Sequence, residues 1–289
     1  MTETPATIAD ELQRYVRTGE CDAYFSAWPG SFLDRARRAH DDLRDALIHE
    51  VRRRSERRTP GHVLDADTVA LTRRKVTPMV QGLFARVEQP VVLATLERSV
   101  VFVTNANIEP LVRDAEFESS AWTLANLYLA SVGAELLGPD APRIVGVSEH
   151  MTCYVSPEYF AEKDPFADFV VHEAAHIFHN CKRRTLGLRE TRTREWLLDI
   201  AYRKRETFAY ACEAYARIVE RGQSPSDRRA LAAEYARRVR ISEERVDPAE
   251  VAAIVAEAAS ARNGWKVILA RCANVRTTRR ATIGPLAGV

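Results

Sequence analysis

The chain has 289 residues, 46% hydrophobic and 28% charged, which suits a large core in one or two domains and excludes disorder as the default state. Lys and Arg number 42 against 40 Asp and Glu, a formal charge of +2, so no molecule-wide field gathers nucleic acid or anionic lipid. The opening MTETPATIADELQRYV lacks a basic segment followed by an apolar one, and no run approaches the roughly 18 uncharged apolar residues of a membrane span. No membrane partner is therefore expected, and cytoplasm is the expected compartment. Five cysteines (Cys21, Cys153, Cys181, Cys212, Cys272) are odd in number, widely spaced and without a CxxC pair. That pattern argues against a disulfide framework and against a cysteine-ligated zinc module, and reads as free thiols.

The first ninety residues read as helices. SFLDRARRAHDDLRDALIHEVRRRSERR opens with Ser31 as N-cap and Asp34 three residues on, and places Phe32, Leu33, Ala36, Ala39, Leu43, Ala46, Leu47 and Val51 at helical spacing. It is expected to end at TPG, residues 59–61. A second helix is expected from about Asp67 to Val87, with Pro78 breaking or kinking it. The texture changes near residue 90. SVVFVTN (99–105) reads as a strand, SSAWTLANLYLASVGAELLG as a buried helix closed by Gly138, and RIVGVSEHMTCYVSPEYF (143–160) as one or two strands. Asp164-Pro165 predicts the start of a helix that runs to about Arg184, with Gly187 near its end. TREWLLDIAYRKRETFAYACEAYARIVERG has the periodicity of one long helix or two abutting ones, stopped at Gly222. SPSDRRALAAEYARRVR and DPAEVAAIVAEAASARNGWKVILARC supply at least two more helices.

The helix expected after Pro165 carries the chemistry. FADFVVHEAAHIFHNC, residues 166–181, places His172 and His176 four apart, about 40° around a helix axis, so both imidazoles can point at one metal ion. Glu173 sits beside the pair, where a carboxylate can hold a metal-bound water and take its proton. Phe169, Val170, Val171, Ala174, Ala175, Ile177 and Phe178 are uncharged, so the helix is built for burial around its two histidines. Downstream, Glu206, Tyr210, Glu213 and Arg217 fall at i, i+4, i+7 and i+11, one stripe of RETFAYACEAYAR with Ala209 and Ala216 along it. Acidic residues on a stripe lined with alanine need a partner.

The pentad HEAAH resembles the signature of the HExxH zinc metallopeptidases. The resemblance implies bound zinc and a predominantly helical α+β fold: a zincin-like core with a small sheet and an active-site helix at 91–222, flanked by helical regions at 1–90 and 223–289. The alternative is one compact domain comprising all three. The metzincin branch takes a third ligand from HExxHxxGxxH, whereas here His179 stands three residues after His176 and Lys182 six after. The gluzincin branch takes a glutamate from a later helix, and Glu206, followed by x-Phe-Ala, resembles that ligand. Glu213 is the rival ligand, or the acceptor for the other nitrogen of a ligand histidine. Many gluzincins carry an aspartate four residues after the ligand glutamate; here that place is Tyr210. Tyr210, Tyr202 and His150 are the candidate donors to the oxyanion of a tetrahedral intermediate, with Tyr210 the one assigned to catalysis. His179 reads as a core or rim residue beside the site, with metal contact as its alternative. HMTCYVSPEYF occupies the place of the edge strand that pairs with extended substrate in such peptidases.

The expected function is zinc-dependent hydrolysis of a peptide bond, with Glu173 assisting attack by a zinc-bound water on a peptide or protein substrate. The alternatives are a non-catalytic zinc-binding regulatory protein of the same fold, and a helical nucleic-acid-associated protein in which HExxH is accidental. RRRSERR (52–58) and TRRK (72–75) read as solvated helix ends, and no zinc finger, RNA-binding motif or phosphate loop accompanies them, so nucleic acid is not an expected partner. RRTLGLRETRTR (183–194) is expected to gate or line the cleft, with an arginine for a substrate carboxylate.

Overall fold

The computed structural model describes residues 7–58, 67–191 and 194–274. Among them are eleven α-helices: α1 (Ile8–Thr18), α2 (Phe32–Ser55), α3 (Thr68–Leu83), α4 (Gln89–Leu96), α5 (Ile108–Asp114), α6 (Glu118–Ser131), α7 (Phe169–Asn180), α8 (Arg205–Arg221), α9 (Pro225–Arg238), α10 (Pro248–Ser260) and α11 (Gly264–Cys272). Three short strands, β1 (Val100–Phe102), β2 (Gly146–Glu149) and β3 (Thr152–Val155), form a sheet in the order β1-β3-β2. The fold is thus predominantly helical α+β. No helix of the described residues is long and apolar enough to cross a membrane.

The sheet is mixed. β1 runs parallel to β3 with Val101 opposite Tyr154, and β2 runs antiparallel to it with Val147 opposite Tyr154. Side chains alternate across a strand. Cys153 and Val155 therefore join a core built by α3, α4, α7, α8, α10 and α11, while Val147 and Tyr154 pack against a second core of α1, α2, α5 and α6. α3 and α4, early in the chain, share the first core with helices from its end, so the two cores cut across the sequence boundaries at 90 and 222.

Capping explains several starts. Ser31 and Asp34 form a reciprocal capping box on α2, which buries Ala39, Leu43, Leu47, Ile48 and Val51. Phe32 and Leu33 lie in its first turn and are exposed, Phe32 stacking on Tyr24. The expected stop at 59–61 lies outside the described residues; the helix itself ends at Ser55. α3 starts at the Asp67 cap, runs through Pro78 and ends at Leu83. A proline inside a helix costs about 3 kcal/mol, and burial of Val76, Met79, Val80 and Leu83 on both sides of it holds the turn. α6 stops at Ser131, seven residues before the expected Gly138, with Gly133 at φ 65° after it.

Two expectations fail for a shared reason. α7 starts at Asp168, not at Asp164-Pro165. Asp164 instead makes a local turn, accepting from the Phe166 amide at 3.0 Å and, through its carbonyl, from Ala167 at 3.2 Å. Asp168 is buried, caps Val171, and is neutralised by Lys75 of α3 at 3.0 Å, a partner 93 positions away that local spacing cannot register. α7 also ends at Asn180, before a short 3-10 turn closed by Gly187 at φ 68°. Residues 194–201, ahead of a short 3-10 turn (Tyr202–Lys204) and α8, are not helical: Leu197 donates to Cys181, Leu198 to Phe178 and Ala201 to Cys272. Those non-local bonds satisfy backbone groups that a longer helix would have paired internally.

Candidate metal centre

α7 and α8 pack against each other, and their facing stripes form the site. His172 and His176 project from α7, one turn apart, with ring centroids 5.2 Å apart. Glu206, in the first turn of α8, brings Oε2 to 3.5 Å from His176 Nε2 and 3.8 Å from His172 Nε2. One ligand atom from each of the three lies within 4.8 Å of the others. Four-coordinate tetrahedral metal bonds of this kind separate adjacent ligand atoms by about 3.3 Å, so the group can hold a metal ion after small adjustment.

The outer nitrogens are committed elsewhere. His172 Nδ1 bonds Glu213 Oε2 at 3.0 Å, and Glu213 Oε1 accepts the backbone amide of Asp168 at 2.8 Å. His176 Nδ1 meets His179 Nε2 at 3.1 Å, and His179 Nδ1 meets Asn180 Oδ1 at 2.9 Å. An amide oxygen only accepts, so the network assigns the proton of His179 to Nδ1, its Nε2 as acceptor, and the proton of His176 to Nδ1. His176 Nε2 is then a lone pair on the side of Glu206, and His172 Nε2 would offer one to a metal on losing its proton. Glu213 and His179 are therefore placed to orient the two imidazoles from outside the position a metal would take, the arrangement that fixes ring tautomers in metal sites.

The titratable groups of the cluster act strongly on one another. Burial pushes the Glu206 carboxyl up, but the imidazoles of His172 and His176 outweigh it and hold the group well below the usual carboxylate range. Burial lowers His172, yet Glu206 and Glu213 outweigh that and carry it up to about 10. Burial raises Glu173, with the charges of the two imidazoles opposing. Burial, then the charges of His176 and Arg205, holds His179 down to about 3, so it stays neutral. Held up in this way, the His172 imidazole carries a positive charge between Glu206 and Glu213, a role that a bound metal cation would take over.

Glu173 is 6% exposed and lies against β2. A Cβ on Gly146 would sit 2.6 Å from Glu173 Oε1, so only glycine leaves this carboxylate its place. Tyr210 packs edge-on to His172 at 4.6 Å between centroids, and burial pushes its phenol up to about 12, which keeps the proton on. His150 occupies the tip of the β2–β3 hairpin at φ 51°, pairs with Glu116 at 2.6 Å, and does not line the cleft. Tyr202 lies at the mouth of the cleft and is 76% exposed.

The site opens into a cleft of about 1170 Å³. One wall is β2 with residues 142–145 before it; another is the segment 238–245 after α9. The sheet order makes β2 an edge strand and β3 the central one, so HMTCYV lies one strand further in than expected. The described part of the loop at 183–194 does not line the cleft. Arg183 is buried, ion-paired with Glu88, and donates to the carbonyls of Arg189 and Leu197. Sequence reasoning missed Gly146, Arg205 and the wall at 238–245. A lone glycine in a strand pattern is a signal of close approach that would have found the first. Comparison with protein-family models, with curated proteins and with solved structures finds no match to this chain.

Proposed function

We propose that the chain is a zinc-dependent peptidase of the gluzincin kind, acting in the cytoplasm on a peptide or protein. The observation that carries this reading is the convergence of His172 Nε2, His176 Nε2 and Glu206 Oε2 in a cleft where a buried, non-ligand carboxylate, Glu173, follows the first histidine. Two imidazoles and one carboxylate match the donor set of catalytic zinc, which takes three protein ligands and keeps a fourth position open. Zinc held there supplies Lewis acidity toward a carbonyl and acidifies water at neutral pH.

The chain's own residues supply the rest. Glu173 accepts the proton of the attacking water and returns it to the leaving amine, and burial raises its carboxyl toward the range where both transfers are efficient. Tyr210 lines the cleft beside His172 with a protonated phenol that has no hydrogen-bond partner among the described residues, and it serves as donor to the developing oxyanion. Glu213 and His179 hold the two imidazoles. The edge strand β2 offers backbone groups to an extended chain, and the segment at 238–245 narrows the approach, which favours a specific substrate. Five free cysteines, four of them buried, suit a reducing compartment. Against a nucleic-acid reading, Arg52 pairs with Glu109, Arg53 and Arg54 with Glu50, Arg73 with Glu97 and Lys75 with Asp168.

Elemental analysis of protein purified without added metal or affinity tag, beside a His176→Ala control, tests the reading. About one zinc per chain, lost in the control, is the expected result. Hydrolysis of a peptide library by the unmodified chain and not by Glu173→Ala completes it. No metal after zinc addition sinks the proposal.

A further inference from the structure

The cleft also holds a cation without an anion. Arg205 opens α8, one residue before Glu206, and lines the same cleft. Its Nε is buried with no hydrogen-bond partner, and no carboxylate pairs with it among the described residues. Among the described residues its guanidinium carbon lies 5.1 Å from the ring of Tyr202, a cation–π contact. Of the other arginines of the cleft, Arg143, Arg238 and Arg245 are paired with Glu158, Glu234 and Glu243, and Arg203 and Arg240 are exposed to solvent. The buried Nε of Arg44 faces Glu118 at 2.7 Å, and Arg35, the remaining case, lies outside the cleft. Arg205 is near enough to the metal centre for its charge to act on His179.

Leaving a buried guanidinium nitrogen unpaired costs free energy that an incoming acceptor returns, and the planar fork of donors matches a carboxylate in two parallel bonds. We propose that Arg205 binds a carboxylate of the substrate, either the C-terminal carboxylate of a peptide or an acidic side chain close to the bond that is cut. The inference rests on the peptidase reading for what is cut, but not for the binding of the carboxylate itself. It makes Arg205 a specificity-determining residue and the substrate class acidic or carboxylate-terminated peptides.

The test uses the full chain carrying Glu173→Gln, incubated with zinc, and fluorescence anisotropy of three dansyl-labelled probes: an Ala/Phe hexapeptide with a free C-terminus, the same peptide as its amide, and the amide with one internal glutamate. At least one acidic probe is expected to bind about ten-fold more tightly than the neutral amide, a difference of about 1.4 kcal/mol. Which acidic probe gains distinguishes the C-terminal source from the side-chain source. Arg205→Met should abolish the preference and Arg205→Lys should keep part of it, with zinc content unchanged in both. Equal binding of acidic and neutral probes, no binding of any probe at millimolar concentration, or a preference that survives Arg205→Met would overturn the proposal. Zinc content and hydrolysis by the Glu173 protein separate the two readings. Carboxylate preference without zinc or hydrolysis removes the peptidase and keeps the Arg205 site; zinc and hydrolysis without preference do the reverse.

Discussion

Glu213 holds His172 through Nδ1 at 3.0 Å while its other oxygen holds the Asp168 amide at 2.8 Å, so one carboxylate fixes both an imidazole of the candidate centre and the start of the helix that carries it. Glu206 faces the opposite nitrogen of the same ring. The two glutamates, seven positions apart on α8, should therefore fail differently. Glu213→Gln should weaken zinc by about 10–100-fold, the usual effect of losing an orienting partner, and Glu206→Ala by more. Competition against a chelating dye measures both. A Glu206→Ala protein that binds zinc normally beside a Glu213→Ala protein that does not would reverse the assignment.

Gly146 and Glu173 make a second pair. Adding one methyl group at 146 places a carbon 2.6 Å from Glu173 Oε1 and 2.7 Å from its Cγ, inside a buried contact. The carboxylate must swing aside while the ligands on α7 and α8 stay in place. Gly146→Ala should thus retain zinc and lose about 100-fold in kcat, since a displacement near 1 Å in a catalytic group has that order of effect. Glu173→Ala should also retain zinc and show no turnover above background. Normal kcat in Gly146→Ala would show that Glu173 is not positioned by β2.

His179 accepts from His176 and donates to Asn180, a chain that runs only with His179 neutral. His179→Leu leaves the His176 Nδ1 proton buried without an acceptor, at a cost of about 1–3 kcal/mol. Both thermal stability and zinc affinity should drop. His179→Gln, whose amide oxygen can accept the same proton, should recover part of each. Equal loss in the two variants would mean that His179 fills space and does not orient His176.

The metal motif was legible in the sequence because it is local: helical spacing alone puts His172 and His176 on one face, with Glu173 beside them. The stripe of Glu206, Tyr210 and Glu213 was legible for the same reason, as was the strand–helix–strand order before it. What stayed hidden depends on contacts distant in the chain. Asp168 outcompetes Asp164 as a helix cap because Lys75 neutralises it, and residues 194–201 are not helical because the carbonyls of Cys181, Phe178 and Cys272 take the amides of Leu197, Leu198 and Ala201. His150 and Arg183 are chemically suited to the roles expected of them. The hairpin register puts the first at an exposed tip, and an ion pair with Glu88 withdraws the second from the cleft.

Removing the metal should destabilise the fold as well as the activity. Without a cation, Glu173, Glu206 and Glu213 face one another across two imidazoles in a buried cluster, each more than two-thirds shielded from solvent. A ligand present at a thousand times its dissociation constant stabilises the native state by about 4 kcal/mol. In a chain of this size each kcal/mol moves the melting temperature by about 2–4 °C, so chelation should lower Tm by about 10 °C. Calorimetry with and without a chelator reads the shift directly, and readdition of zinc should restore it. His176→Ala should melt near the chelated temperature and ignore the chelator, because its centre has already lost a ligand. If the unmodified chain ignores the chelator too, α7 and α8 are held by packing alone and the carboxylates are balanced by protons, which would sink the metal assignment and not merely the choice of zinc.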